Sequence, residues 1–383
     1  ECVDCHTKIT PGIVKDWKTS AHAREDVSCD ACHGDGHSSA DDVDQVLTVT
    51  ATTCAACHGE RFEQFSKGKH ALAWVSMKAM PTTHFKPMEL IDGMKGCGGC
   101  HKVGLKEPEE IVRLKREGSQ FGHASCDACH TRHTFSVAEA REPEACATCH
   151  MGFDHPQWEM WSTSKHGAIW QIEGPGSERA PTCQTCHMDE GDHAVMTSWG
   201  FLAVRLPEDD PDWLADRVTI LQGLGVLDDK GEPTGRLEVV KAGKVARLTK
   251  EEFQGPRDKM QAICSRCHSP SYAKDQLDQS DQLIKEADKL MSEAIRIVQT
   301  LYKDGILVKP EGWSFAPDLL QFYDARSSIE QELHVMFLEH RMRTFQGAFH
   351  ANFDYSHWYG WAPMKESLQK IKDEALALRA DHN

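Results

Sequence analysis

Eight times in 383 residues the chain repeats Cys-x-x-Cys-His, and no other feature restricts its possible folds as much. The first four sets are Cys2, Cys5 and His6; Cys29, Cys32 and His33; Cys54, Cys57 and His58; and Cys97, Cys100 and His101. The last four are Cys126, Cys129 and His130; Cys146, Cys149 and His150; Cys183, Cys186 and His187; and Cys264, Cys267 and His268. They consume all 16 cysteines, so no thiol remains for a disulfide or a nucleophile. Zinc ribbons or a disulfide scaffold would account for paired cysteines. Neither accounts for an imidazole fixed directly after the second one. Covalent c-type haem attachment explains both, with two thioether sulfurs for the porphyrin and the adjacent histidine for the iron. Eight c-type haems are the expected cofactors.

That load changes how the length is read. At roughly 100–200 residues per domain, two or three domains would be expected. Porphyrins are large and apolar, so a chain with 40% hydrophobic residues can wrap one continuous haem array. The fold class expected is mainly α, a multihaem cytochrome c with a haem-packed N-terminal region and a C-terminal bundle of long helices. Covalent haem attachment takes place outside the cytoplasm, which points to a periplasmic or equivalent extracytoplasmic compartment. No apolar run reaches about 18 residues, so no transmembrane segment is expected. The chain begins one residue before its first cysteine, and a leader and further N-terminal sequence are expected ahead of it. Its 43 basic and 59 acidic residues give a net charge of −16. That balance disfavours nucleic acid and favours a cationic electron-transfer partner such as a small basic cytochrome.

Two regions follow from the patterning, the first carrying an insertion. Residues 1–270 form the octahaem-binding region, with 198–260 a haem-free insertion that has neither cysteine nor histidine. Within the insertion, Arg236 to Thr249 alternates around a glycine and reads as a small hairpin. Residues 271–383 form a helical region. Leu277, Ile284, Ala287, Met291, Ala294, Ile295, Val298 and Tyr302 recur at helical spacing over 275–303, ended by Asp304-Gly305. A second helix is expected from Asp318 to His350, and a third from Met364 to Arg379 after the breaker Ala362-Pro363. Between them lies HANFDYSHWYGW, residues 350–361, dense in aromatics.

Electron-transfer haems need a ligand on both faces of the iron. Fourteen histidines remain after the eight proximal ones. Trp17-Lys-Thr-Ser-Ala-His22, Phe65-Ser-Lys-Gly-Lys-His70 and Trp161-Ser-Thr-Ser-Lys-His166 each place a histidine five residues after an aromatic. His37, His133 and His193 follow their own motifs closely. These six are the distal candidates, joined by His123; His84 is a further one. The stretch from Cys146 to His166 adds Asp154-His155, a carboxylate beside an imidazole, which are the materials of a proton-transfer pair.

The eight motifs, the block CHMGFDHPQWE and the stretch FDYSHWYGW resemble the octahaem hydroxylamine oxidoreductase family over essentially the whole chain. The resemblance implies seven bis-histidine haems and one five-coordinate, catalytic haem at the fourth motif, with His101 as its proximal ligand. It implies Asp154 and His155 as the distal pair, and Tyr355, with Tyr359 the weaker match, as a tyrosine bonded covalently to the catalytic porphyrin of a neighbouring subunit in a homotrimer. The activity implied is oxidation of hydroxylamine to nitric oxide or nitrite, with electrons passed to a cytochrome c-type acceptor. Hydrazine dehydrogenation to dinitrogen shares the same residues, and the compartment would be the anammoxosome lumen in an anammox bacterium. Ammonia-forming nitrite reductases carry a lysine as proximal ligand, which none of the eight motifs has. A nitrite-reducing octahaem enzyme and a non-enzymatic electron conduit stay open as alternatives.

Overall fold

The computed structural model describes residues 1–76, 94, 96–152, 154–195, 206–242, 249–321 and 324–382. They are mainly helical, and the described residues contain no strand beyond one isolated antiparallel bridge, Leu227 with Pro233. The chain folds into two compact units. The first gathers Glu1–Met77, Pro87–Thr148 and Cys183–Met196; the second gathers Cys149–Thr182 and Thr197–Asn383.

The first unit is made of short helices. Cys2–Ile9, Cys97–His101 and Cys183–His187 each carry a whole motif, and Asp30–His33 carries most of another. A helical turn suits the motif, because residues three and four apart share one face. Both sulfurs and the imidazole are thereby presented together. The unit's apolar core is thin: Trp74 and Leu114, with Met94 and Cys97 against them. The fourth motif is seated on it by a close approach. A Cβ on Gly104 would lie 2.1 Å from the backbone nitrogen of Trp74, so only glycine fits.

The second unit is built on the helix Pro270–Lys303, capped by Ser269 and stopped at Asp304 and Gly305. Its buried stripe includes Leu277, Ile284, Ala287, Met291, Ala294, Ile295, Val298 and Leu301. Around it pack Pro211–Gly223, Ser328–Val335, Met342–Phe349 and Ala362–His382. Residues 211–237 are thus part of this bundle, with Ile220, Leu221, Leu224, Val226 and Leu237 in the same core as Met291 and Ile295. The expected hairpin gives way to a helix, Gly235–Ala242; its remaining residues, 243–248, lie outside the described ones. Leu237 buries itself in the core, and the Thr234 hydroxyl accepts from the Arg236 amide at the helix start. Local alternation was too short to withstand that packing.

The expected second helix starts later than Asp318, at Ser328, because Asp318 is spent on Arg236, Leu320 and Gln321. It continues through a π-helical segment, Met336–Arg341, to Phe349. The expected break at Ala362-Pro363 is absent. Phe353–Tyr355, a π-helical segment Ser356–Trp361 and Ala362–His382 run on without interruption. Proline lacks the N–H that an α-helix would direct at the carbonyl four residues back. The π-helical turn before Pro363 widens the bonding pattern and lets the helix pass. No described helix is long and apolar enough to cross a membrane.

Candidate haem-ligand pairs and proton-transfer site

None of the sixteen motif cysteines is fully buried. Cys2, Cys5, Cys57 and Cys267 are exposed, and the others, Cys129 and Cys186 among them, are half-buried. None is joined to another in a disulfide. A haem-packed region would suggest deeper placement, since thiols are ordinarily among the most buried side chains. The difference has a physical reason. A sulfur that carries a porphyrin must point away from the polypeptide's interior, because the haem and not the chain is its packing partner. Cys5, Cys57 and Cys267 are the cysteines next to the proximal ligands His6, His58 and His268, so their exposure accompanies those rings.

In the first unit, histidines from distant parts of the sequence face one another in pairs. Ring centroids lie 6.2 Å apart for His6 and His37, 6.1 Å for His22 and His58, and 6.2 Å for His33 and His133 and for His130 and His193. His166 and His268 repeat the spacing in the second unit at 6.1 Å. Two imidazoles whose nitrogens each lie about 2 Å from one metal would place their centroids about 6 Å apart. The donors are also turned correctly. His6 Nδ1 bonds the Thr10 hydroxyl, His37 Nδ1 the Asp42 carboxylate and His193 Nδ1 the Gly191 carbonyl, which leaves Nε2 for a metal. Burial, then the facing imidazole, pushes His22 and His166 down, and burial acts likewise on His133. The neutral ring is the ligating form. The residues fit haem iron.

Two further candidates are placed differently. His70 is half-buried, and burial, then His187 and His101, push its pKa down. His123 is 4% exposed; its Nε2–H donates to the Ser119 carbonyl at 2.8 Å, and its Nδ1 meets no partner. A buried imidazole nitrogen with a free lone pair suits a metal. His101 Nδ1–H donates to the Ala73 carbonyl at 2.8 Å, which orients the fourth motif's ring. His84 lies outside the described residues. As one expected outcome, His166→Ala should leave the number of attached haems unchanged while converting one low-spin haem to high-spin, read by optical and EPR spectra. An unchanged spin balance would remove His166 from the ligand set.

The second unit holds the carboxylate–imidazole pair. His155 Nδ1 lies 3.0 Å from Asp154 Oδ2, within ion-pair distance, with both side chains about one-third exposed, at 32% and 33%. The loop beneath is pinned from several sides. Glu159, on the helix Gln157–Ser162, accepts from the Gly152 amide at 2.9 Å, and the Gln346 amide reaches the Asp154 carbonyl at 3.4 Å. Asn352 donates to the Met160 carbonyl at 2.7 Å and accepts from the Tyr355 amide at 3.2 Å. The tyrosine-bearing turn and the Asp154–His155 loop are therefore one assembly within this unit. Tyr355 is 8% exposed and lies 5.1 Å from Tyr359, which is 58% exposed. Burial, against the nearby Arg343, pushes the Tyr355 phenol up.

Sequence reasoning missed Glu159, Gln346 and Asn352. Glu159 sits five residues beyond Asp154, and the other two are nearly 200 residues away, with no local signal to link them. A second geometry also stands out. His155 and His150 have ring centroids 6.4 Å apart, close to the spacing of the facing pairs, and His150 Nδ1 contacts Gln157 Oε1 at 3.3 Å.

The comparisons with known proteins agree with a haem-bearing chain. The family model described as seven times multi-haem cytochrome CxxCH matches residues 25–206 and 239–312, and that of cytochrome c554 and c-prime matches residues 1–34. A probable nitrite reductase–hydroxylamine oxidoreductase fusion protein of Kuenenia stuttgartiensis is 27% identical, over 99% of this chain and 51% of its own length. The chain thus spans about half of that curated relative. The solved structure of a reducing HAO-like protein complex from the same organism is 26% identical with a TM-score of 0.73, over 99% of this chain and 85% of its own. A hypothetical multihaem protein shares the fold, with a TM-score of 0.67 at 21% identity, over 100% of this chain and 95% of its own.

Proposed function

Because the chain belongs to the multi-haem cytochrome CxxCH family, we propose that it is an octahaem oxidoreductase of the hydroxylamine oxidoreductase type. It carries eight c-type haems in an extracytoplasmic compartment and transforms a small nitrogen compound at one of them. The observation that carries this reading is the assembly of Asp154, His155 and Tyr355, which the hydrogen bonds of Gln346 and Asn352 hold together. In this reading the haem of Cys97, Cys100 and His101 is the reactive one, by its ordinal match to the family. His22, His37, His70, His123, His133, His166 and His193 close the other seven.

A bound haem supplies a Lewis-acidic iron for the nitrogen compound and one-electron carriers for the redox equivalents. The chain's own groups handle protons. In this reading the Asp154 carboxylate beside Nδ1 of His155 favours a proton there, which leaves Nε2 to exchange a proton with substrate. Tyr355, whose phenol burial pushes further up, stays protonated and is a hydrogen-bond donor in the same assembly.

The placement of the tyrosine favours one direction over the other. A phenol that bonds to a haem of a neighbouring subunit must project from its own subunit. Tyr355 is instead 8% exposed within its own chain. That burial, with a solved relative described as a reducing complex, supports reduction of nitrite or hydroxylamine, fed by a cytochrome. The exposed Tyr359 favours a second reading, hydroxylamine or hydrazine oxidation in a crosslinked trimer. Turnover with nitrite and hydroxylamine against a reduced mediator, and with hydroxylamine and hydrazine against an oxidised one, separates them. Reduction without oxidation, and single chains on a denaturing gel, are expected. Covalently linked chains together with oxidative turnover would establish the second reading. No turnover with any of these compounds would leave an electron conduit.

A further inference from the structure

We propose that the loop Gly34–Leu47 is the docking surface for a small, lysine-ringed c-type cytochrome, which exchanges electrons with the haem of the first motif. From Glu25 to Glu60 the chain has eight carboxylates and no lysine or arginine, so this stretch alone carries −8 of the chain's −16. Four of the eight, Asp35, Asp41, Asp42 and Asp44, stand on one built loop. The Leu47 amide donates to the His33 carbonyl at 2.8 Å and closes it. The Leu47 side chain lies over Gly34, whose φ of +73° and lack of Cβ the closure requires. Inside, the Asp42 carboxylate accepts from the amides of Ser38 and Ser39 and from the Ser38 hydroxyl at 2.8–3.0 Å. Those donors, the Ser39 amide first, hold Asp42 far below the usual carboxylate range.

The same carboxylate grips His37 Nδ1 at 2.8 Å, and His37 faces His6. One loop therefore supplies a first-haem ligand candidate from its interior and displays the exposed carboxylates of Asp35, Asp41 and Asp44 on its outside. The same loop exposes Val43 at 60% and Leu47 at 61%. An apolar centre with a charged rim is the usual anatomy of a protein interface. The rim selects a cationic partner, because complementary charge steers encounter and like charge suppresses it. A second copy of this chain is a poor occupant, since a two-fold contact would oppose the acidic loops. Electron transfer falls steeply with distance, so a carrier seated here is close to the first haem. One electron passes between the two haem irons, one oxidised as the other is reduced, and no bond changes.

The inference rests on the electron-transfer part of the function proposed above and not on its substrate. The test uses the haem-loaded full chain and a basic mitochondrial-type cytochrome c as probe. Binding is read by calorimetry, and interprotein electron transfer by stopped flow after chemical reduction. The loop variant is Asp35→Asn with Asp41→Asn and Asp44→Asn, which leaves Asp42 in place. The control variant removes three exposed carboxylates elsewhere, by Asp229→Asn, Glu238→Gln and Glu251→Gln. The loop variant should bind and react about 10–100-fold more weakly at low salt and lose most of its salt dependence; the control should behave as wild type. Equal losses in both variants, or none in the loop variant, would overturn the proposal. So would an acidic cytochrome that reacts as fast as the basic one. Neither measurement needs turnover, so a chain inactive towards every nitrogen compound would sink the catalytic reading without touching this one.

Discussion

His155→Ala should lower turnover about 10²–10⁴-fold, the range for losing a positioned acid–base group, while the number of attached haems stays the same. The size of the effect follows from the geometry. The Asp154 carboxylate lies 3.0 Å from Nδ1, which favours a proton on that nitrogen and leaves Nε2 to face outward. The loop has little freedom to compensate, because Glu159 holds Gly152 and Gln346 reaches the Asp154 carbonyl. Asp154→Asn should keep the ring in place but present a partner that also accepts the wrong tautomer, with a smaller loss. The competing role is tested by the same variant. If the 6.4 Å spacing from His150 marks His155 as an iron ligand, His155→Ala would turn one more haem high-spin. Reduced turnover with an unchanged low-spin count supports the proton-transfer role. A new high-spin haem would transfer His155 to the ligand set.

Much of this was legible because the sequence states it locally. Each Cys-x-x-Cys-His declares its own chemistry, and the Pro270–Lys303 helix declares its buried stripe through Leu277, Ile284 and Met291. The pairing of imidazoles was not legible. His22 precedes the second motif yet faces His58 of the third, and His133 follows the fifth yet faces His33 of the second. Such crossings are set by tertiary packing and leave no periodic trace. The π-helical turns were equally hidden. Ser356–Trp361 lies against Met342–Phe349 at a separation only glycine permits, since a Cβ on Gly360 would meet the Thr344 nitrogen at 2.4 Å. The hairpin expected over 236–249 fails for a related reason. A short alternation is weak information beside one leucine that a core will accept.

Asp288→Asn should cost about 3–5 kcal/mol of stability, as breaking a buried ion pair by removing one partner does. Asp288 is wholly buried at the centre of the second unit. One carboxylate oxygen meets Arg217 Nε at 2.5 Å and accepts from the Trp213 indole at 2.8 Å; the other accepts from Arg341 at 2.8 and 3.1 Å. Both guanidiniums are nearly as buried, at 5% and 2% side-chain exposure. An asparagine preserves the shape and removes the charge that the two buried guanidiniums share. Burial alone would raise the Asp288 pKa, but Arg217 and Arg341 outweigh it and hold the carboxyl below its ordinary value. A depressed folded-state pKa contributes stability above the unfolded value of about 3.9, and that stability is lost as pH falls through the folded value. Wild type should therefore lose stability on acidification more steeply than Asp288→Asn, which has no carboxylate to protonate there. Replacing the whole triad by apolar residues of similar volume should cost far less than the single change. Denaturant midpoints of the haem-loaded chains at several pH values measure all three effects. A single variant that unfolds at the wild-type midpoint would show that the two arginines find their counter-charge elsewhere.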